Sequence, residues 1–380
     1  MTRFDPGDER PDVVLLPGFV GMNMDDATGR RIWLDPLPIA TGELASLFAL
    51  DARGADDADP RLGVHPEGPI GFVYGRAIDA LIEAGLAVHV FPLDFRRSVL
   101  DTAAELARFM QALAAERRGR RFIFFGHSMG AILATLYPYY DAAWESRIAA
   151  AIHVGGTLAG TFEPVEGLTG SHWFLEVVGT GDRDRELAIR RSMSTWPGIF
   201  DMLPDPLSFP DAVDVYKAAS WPEAVRPPQA WLDRVRDEVR PRVRESPLSR
   251  VPTYQLLSVD SPTVTSLAWT SEGLAAGPMI HAGDGTVAAR TAHAGVSRAL
   301  RVDFPHTFMP NDPGAIRAVI ELARGASPSL PEITAEMMSQ EIPFPLPPPV
   351  SMAKTLLHAV TQRALTGQLR LDDLLWPFRR

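Results

Sequence analysis

FFGHSMGAI, residues 124–132, pins a serine between two glycines, in the pattern Gly126-x-Ser128-x-Gly130. A short apolar run, Arg121 to Phe125, precedes it, and a run of helix formers, Ala131 to Thr135, follows. This is strand, sharp turn, helix. Such a turn holds its serine exposed at the C-terminal edge of a sheet, and flanking glycines let it close without clashes. A serine hydroxyl is a weak nucleophile at neutral pH and needs a base beside it. Motif and context together make Ser128 the expected nucleophile, against a chance match or a decayed site.

Working outward, the flanking sequence alternates. Asp12 to Leu16 reads as a buried strand that ends at Pro17-Gly18. Residues 23–69 read as a long insertion, acidic around Asp51 to Asp59. Tyr74, Ile78, Leu81 and Ile82 recur at helical spacing, and Gly85 stops that helix. Leu86 to Phe91 is the next strand. Ser98 with Asp101 resembles a capping box, and Val99, Ala103, Leu106, Met110 and Leu113 line one helical face. After the strand Arg121 to Phe125 come a helix from Met129 to Tyr140 and a strand from Ile148 to Val154. Parallel strands need crossover connections, so the alternation implies a mostly parallel α/β sheet flanked by helices.

The alternation breaks at residue 157. Residues 157–250 carry four tryptophans, many prolines and a charged helix from about Pro228 to Glu245, and read as an inserted cap. Strand-like sequence resumes at Thr253 to Val259, and Ala299 to Phe304 is the expected last strand. Asp312 as N-cap and Pro313 at the first helical position open a final helix through Ala323. The expected division is a core of residues 1–156 and 251–324, a cap of 157–250, and a tail of 325–380. The tail combines a proline-rich linker with an amphipathic stretch near 351–365.

Bulk properties narrow the class. At 380 residues the chain makes one large domain or two smaller ones. Its hydrophobic content of 46% supports a sizeable core, and its net charge of −10 argues against nucleic acid as a general partner. With no cysteine there are no disulfides and no thiolate metal sites. No positive stretch leads into an apolar segment at the start, and no run reaches about 18 apolar residues. The expectation is a soluble, cytoplasmic protein.

A nucleophilic serine needs a base and an acid, which in this arrangement follow it in the order acid, then histidine. Of the later histidines, His306 in VDFPHTFMPNDPGAI lies between the last strand and the last helix, where the base belongs. His281 and His293 merely flank GDGTV, and His172 falls in the cap. Two aspartates compete for the acid: Asp260, just after the strand ending at Val259, and Asp284 in the tight turn Gly283-Asp284-Gly285. Spacing does not separate them. An oxyanion hole needs two backbone donors. Met129, after the nucleophile, supplies one, and Phe19 in LPGFVG is the candidate for the other, with Val20 next. Val20, Trp173 and Trp196 are candidates for the substrate wall, although the cap tryptophans also suit a cap core. No metal-ligand cluster or phosphate-cradling glycine loop is read, and the chemistry needs no cofactor.

These segments together resemble the lecithin:cholesterol acyltransferase-like α/β-hydrolases. VVLLPGFVG is similar to the family's oxyanion-loop strand and RRIWLDPLPIA to its early insertion. FPLDFR is similar to its aspartate-tryptophan-arginine segment, with Phe95 in place of the tryptophan. FFGHSMGA is similar to the elbow, STWPGIFDMLP to a cap segment and GDGTV to the acid turn, with His306 last. The resemblance spans about residues 12–323. It implies an α/β-hydrolase fold, Asp284 as the acid, and a cap over an acyl-binding pocket. It leaves three functions in view: an esterase or lipase acting on an acyl ester or lipid, an acyltransferase using the same acyl-enzyme, and a non-catalytic scaffold docking through its tail.

Overall fold

The computed structural model describes residues 10–170 and 182–341. Six strands form the central sheet: β1 (Asp12–Leu16), β2 (Val88–Val90), β3 (Phe122–His127), β4 (Ile148–Val154), β5 (Thr253–Leu257) and β6 (Arg298–Arg301). All pair in parallel, in the order β2-β1-β3-β4-β5-β6. Parallel strands covered on both faces must be apolar throughout. Accordingly Val13 to Leu16 and Phe122 to Phe125 are buried without alternation.

Strand order decides the layers. From β1 the chain steps outward to β2 through helix α1 (Gly71–Glu83). It then returns past β1 to β3 through α2 (Val99–Glu116). Crossovers are right-handed, so reversing direction along the sheet puts α1 and α2 on opposite faces. Helix α3 (Met129–Leu136) packs on α2, and α4 (Pro313–Ala323) packs on α1. The reversal leaves a crevice beyond the C-terminal ends of β1 and β3, where open α/β sheets bind ligands.

The expected helical faces are in place. Val99, Ala103, Leu106, Met110 and Leu113 are all buried. The Ser98 hydroxyl caps α2 by accepting from the Leu100 amide, and Asp312 caps α4 by accepting from the Gly314 and Ala315 amides. Four differences have physical reasons. On α1, Tyr74 and Leu81 are buried but Ile82 is 38% exposed, so the apolar stripe is narrower than the periodicity implied. The helix after the serine ends at Leu136 and tightens into a 3-10 turn at Tyr137–Tyr139, where Pro138 lacks an amide donor. The second and last strands are shorter than expected, because both are edges of the sheet: the last has a full strand on one side only and an isolated bridge to Glu332 on the other. The charged helix is present as Gln229–Arg234 and Arg240–Arg244, joined by a π turn at Val235–Val239. Pro241 excludes the regular hydrogen bond there, and the helix widens before it.

Residues 22–69 fold as a small antiparallel sheet (Met22–Asp25, Arg31–Trp33, His65–Pro69) with two short helices. The wholly buried Arg96 guanidinium ties this unit to the core by bridging Asp94 at 2.8 Å and Asp57 at 2.9 Å. Between β4 and β5 the described residues form short helices and add no strand to the sheet. Between β5 and β6 lie two antiparallel pairs that the periodicity did not reveal. Ser261–Val264 pairs with Met279–Gly283, and Leu267–Thr270 with Gly273–Ala276. The expected tail helix lies outside the described residues. Among the described residues no helix is long and apolar enough to cross a membrane.

Candidate active site

Ser128 sits at the turn from β3 into α3 with φ 53° and ψ −119°. Non-glycine residues rarely hold a positive φ unless the surroundings fix them there. Here the Ser128 amide donates to Val154 O at 3.1 Å, and its carbonyl accepts from Ala131 at 3.0 Å. Gly130 explains the motif's second glycine. A Cβ on it would lie 2.0 Å from the Leu16 carbonyl oxygen and 2.7 Å from that of Pro17, so α3 packs directly on the backbone leaving β1.

The fold brings Ser128, Asp284 and His306 together from positions 22 to 178 residues apart. His306 Nε2 lies 3.0 Å from Ser128 Oγ, and its Nδ1 lies 2.8 Å from Asp284 Oδ2. The other carboxylate oxygen of Asp284 accepts from the Thr286 and Val287 amides at 2.9 and 2.6 Å, so this turn aims one oxygen at the imidazole. The His306 amide donates to the Asp284 carbonyl at 3.1 Å, which couples the two loops. Asp260, the competing aspartate, instead forms a bidentate pair with Arg301 at 3.0 Å and is about half exposed. His281 lies in a strand and bridges to Glu341, and His293 is exposed.

The loop after β1 folds over the serine. A Cβ on Gly18 would lie 2.9 Å from Ser128 Cβ. Gly21 N donates to Gly18 O at 3.0 Å, which closes the loop, and Val20 takes φ 52° within it. Trp33 Nε1 donates to the Val20 carbonyl at 3.0 Å and holds that peptide. The amides of Phe19 and Met129 donate to no acceptor among the described residues. Met129 opens α3, where first-turn amides are unpaired and the helix dipole favours negative charge.

An aromatic cluster backs this loop. The Phe19 ring lies 5.4 Å from Phe95 and 6.1 Å from Trp196. Trp196 is buried, and its indole donates to the Phe48 carbonyl at 2.8 Å, so it supports the loop from behind. Trp221 and Trp231 pack on Phe200 within residues 157–250. Trp173 lies outside the described residues.

Burial lowers the basicity of His306, but the Asp284 carboxylate, its hydrogen bond and the charge of Glu163 outweigh that, and the net shift is upward. Among the described residues no three His, Asp or Glu side chains gather as a metal site. Sequence reasoning missed three supporting residues. Gly155 lies against the His306–Asp284 pair, and Tyr74 and His127 hydrogen-bond around it. Only the histidine in Gly126-His127-Ser128 carried any local signal.

No family model matches the chain, and no curated protein matches it in sequence. Solved structures do match in three dimensions. The chain is similar to a chain of the Tle4–Tli4 complex, with a TM-score of 0.54, 12% identity, and coverage of 83% of this chain and 99% of that one. It is also similar to the Bacillus licheniformis lipase BlEst2 in mature form, with a TM-score of 0.43, 10% identity, and coverage of 85% and 95%. Six parallel strands in this order, helices on both faces, and a strained serine at the point where the strand order reverses define the architecture: the chain has an α/β-hydrolase fold.

Proposed function

We propose that the protein is a serine hydrolase of carboxylic esters, with Ser128 as nucleophile, His306 as general base and Asp284 as the acid that orients it. The observation that carries this reading is the unbroken contact line from Ser128 Oγ through the imidazole to Asp284, at 3.0 and 2.8 Å. In the first step Ser128 Oγ bonds to the ester carbonyl carbon while its proton passes to His306 Nε2. The carbonyl oxygen takes up negative charge, and the Phe19 and Met129 amides are the donors proposed to meet it. Collapse breaks the bond to the leaving alkoxide, which takes the proton from His306. Water then attacks the acyl-enzyme by the same route in reverse, releasing the acid and restoring Ser128.

Within that activity we assign the finer reading to the lecithin:cholesterol acyltransferase-like resemblance. Residues 157–250 serve as a cap, and the substrate is an acyl ester or lipid. Acyl transfer to an alcohol is the second reading. Ser128 is only 4% exposed, and a site screened from water favours an acyl-enzyme that waits for another acceptor. Product analysis with and without added alcohol separates the two, since transfer yields a new ester and hydrolysis only the acid.

The test of the shared step is intact-mass detection of a fluorophosphonate adduct. One adduct on the parent and none on folded Ser128→Ala is the expected result. No adduct on the parent, or parent-rate ester hydrolysis by Ser128→Ala, overturns the proposal.

A further inference from the structure

The proposed reaction leaves one residue of the GHSMG motif without a role. His127 is buried, and its ring lies 5.1 Å from that of His306. Its Nε2 lies 3.0 Å from the His306 carbonyl oxygen. A carbonyl only accepts, so Nε2 carries a proton and donates. Burial, and then the charge of His306, hold His127 well below the ordinary histidine range, so the ring is neutral and Nδ1 is an acceptor. The Tyr74 hydroxyl lies 2.8 Å from Nδ1 and donates to it, while its oxygen accepts from the Gly18 amide at 2.8 Å. The Gly18 amide and the His306 carbonyl fix the direction of the two outer bonds, and the neutral ring fixes that of the middle one.

These bonds join four separate segments: the loop after β1, helix α1, the serine turn, and the loop carrying His306. Helix α1, which carries Tyr74, is tied to the His306 loop a second time. Asn311 Oδ1 accepts from the Ala77 amide at 3.0 Å, and its Nδ2 donates to the Phe72 carbonyl at 2.9 Å. A Cβ on Gly21 would lie 2.5 Å from the Tyr74 hydroxyl oxygen, so the oxyanion loop is folded tightly around that oxygen.

We infer that Tyr74 and His127 are positioning residues that hold the oxyanion-loop amides in register with the His306 imidazole through one relay, Gly18 N–H to Tyr74 to His127 to the His306 carbonyl. This rests on the hydrolase reading. Neither residue touches the reacting atoms. The relay is neutral from end to end, so it places no cation beside His306 when that residue takes the serine proton. Misplacing reacting groups by about 1 Å costs on the order of 10²-fold in rate, which sets the scale of the expected effect.

The test is a double-mutant cycle in kcat on an activated ester. Tyr74→Phe removes one oxygen and keeps the packed ring, while His127→Phe removes both ring nitrogens. Each single variant is expected to lose roughly 10–100-fold in kcat, with KM and the thermal midpoint little changed. The double variant is expected to lose no more than the worse single, because the two act as a unit. Parent kcat in folded Tyr74→Phe, losses that multiply independently, or a loss confined to KM each overturn the inference. If His127→Phe does not fold, His127→Gln, which keeps a donor toward the His306 carbonyl, takes its place.

Ser128→Ala measured alongside separates the two ideas. Turnover that survives in that variant removes the hydrolase reading, and the relay is then read by nitrogen NMR of the histidine rings. The expected His127 is neutral and protonated at Nε2, and its Nδ1 resonance moves toward that of a free acceptor in Tyr74→Phe. A cationic ring, a ring protonated at Nδ1, or an Nδ1 resonance unmoved by Tyr74→Phe overturns the relay itself.

Discussion

Gly155→Ala is expected to disable the site while leaving the fold in place. Gly155 follows β4 with φ +56°, and a Cβ there would lie 2.7 Å from His306 Nδ1 and 3.0 Å from Asp284 Oδ2. The added methyl would intrude on a hydrogen bond only 2.8 Å long. Two effects follow. An L-residue in the left-handed region adds strain of about 1–2 kcal/mol. More consequential for rate, the imidazole or the carboxylate must move, and His306 loses the group that fixes its orientation. A partial shift costs ~10²-fold and full loss of the acid's role ~10⁴-fold in kcat. The larger figure corresponds to about 5 kcal/mol of transition-state stabilisation. The matched control is Gly119→Ala, at φ +79° with no atom within 4 Å of the added Cβ, which carries the strain without the collision. Steady-state ester hydrolysis and thermal unfolding, measured on both variants, give the comparison. The expected outcome is a similar fall in thermal midpoint for both and a ~10²–10⁴-fold fall in kcat for Gly155→Ala alone. Parent kcat in Gly155→Ala, or equal kcat losses in both, would refute the reasoning.

Asp284→Asn should lose far more activity than Asp260→Asn, because Asp260 pairs with Arg301 in an exposed contact of the kind worth about 0–1 kcal/mol. The reverse ranking in kcat would remove Asp284 from its role. The acid limb of the kcat/KM profile should lie above the ordinary histidine value, since His306 must be neutral to act as base and its net shift is upward. By the same linkage the charged His306–Asp284 pair stabilises the fold below the unfolded histidine pKa, and that contribution fades as pH rises through the folded one. Asp284→Asn should move the limb to lower pH, and a limb that stays put would contradict the assignment. His153 on β4 is wholly buried, neither ring nitrogen has a hydrogen-bond partner among the described residues, and burial pushes it down to about 4. Its depressed value means stability is lost as pH falls from the unfolded histidine value toward 4, by roughly 3 kcal/mol in full. His153→Leu should flatten that acid sensitivity, as read from urea midpoints against pH, and an unchanged slope would count against it.

The local features of this protein were legible one stretch at a time. The runs Val13–Leu16 and Phe122–Phe125 announce parallel strands because nothing but apolar side chains suits both covered faces. Ser98 and Asp312 announce helix starts because a cap is a contact across two or three residues. Ser128 stands out because Gly130 must pass within contact distance of a neighbouring backbone, and the glycine spacing records that. The edge strands and the antiparallel pairs between β5 and β6 were less legible, because short edges carry few paired residues and weak periodicity.

By itself, then, the sequence determined the alternating α/β order, the serine turn, and a histidine placed between the last strand and the last helix. Each depends on contacts within a few residues. Spacing left Asp260 and Asp284 level and the resemblance implied Asp284; only the tertiary structure shows that Asp284 reaches His306 while Asp260 reaches Arg301, a contact between side chains on different loops. It also decided the roles of Gly155, Tyr74, His127 and Asn311, whose partners lie 53 to 239 residues away or on a different loop. The physical reason is the same throughout: a hydrogen bond or a collision at 3 Å is a fact of space, and chain spacing encodes it only when the chain is also the shortest path between the two atoms.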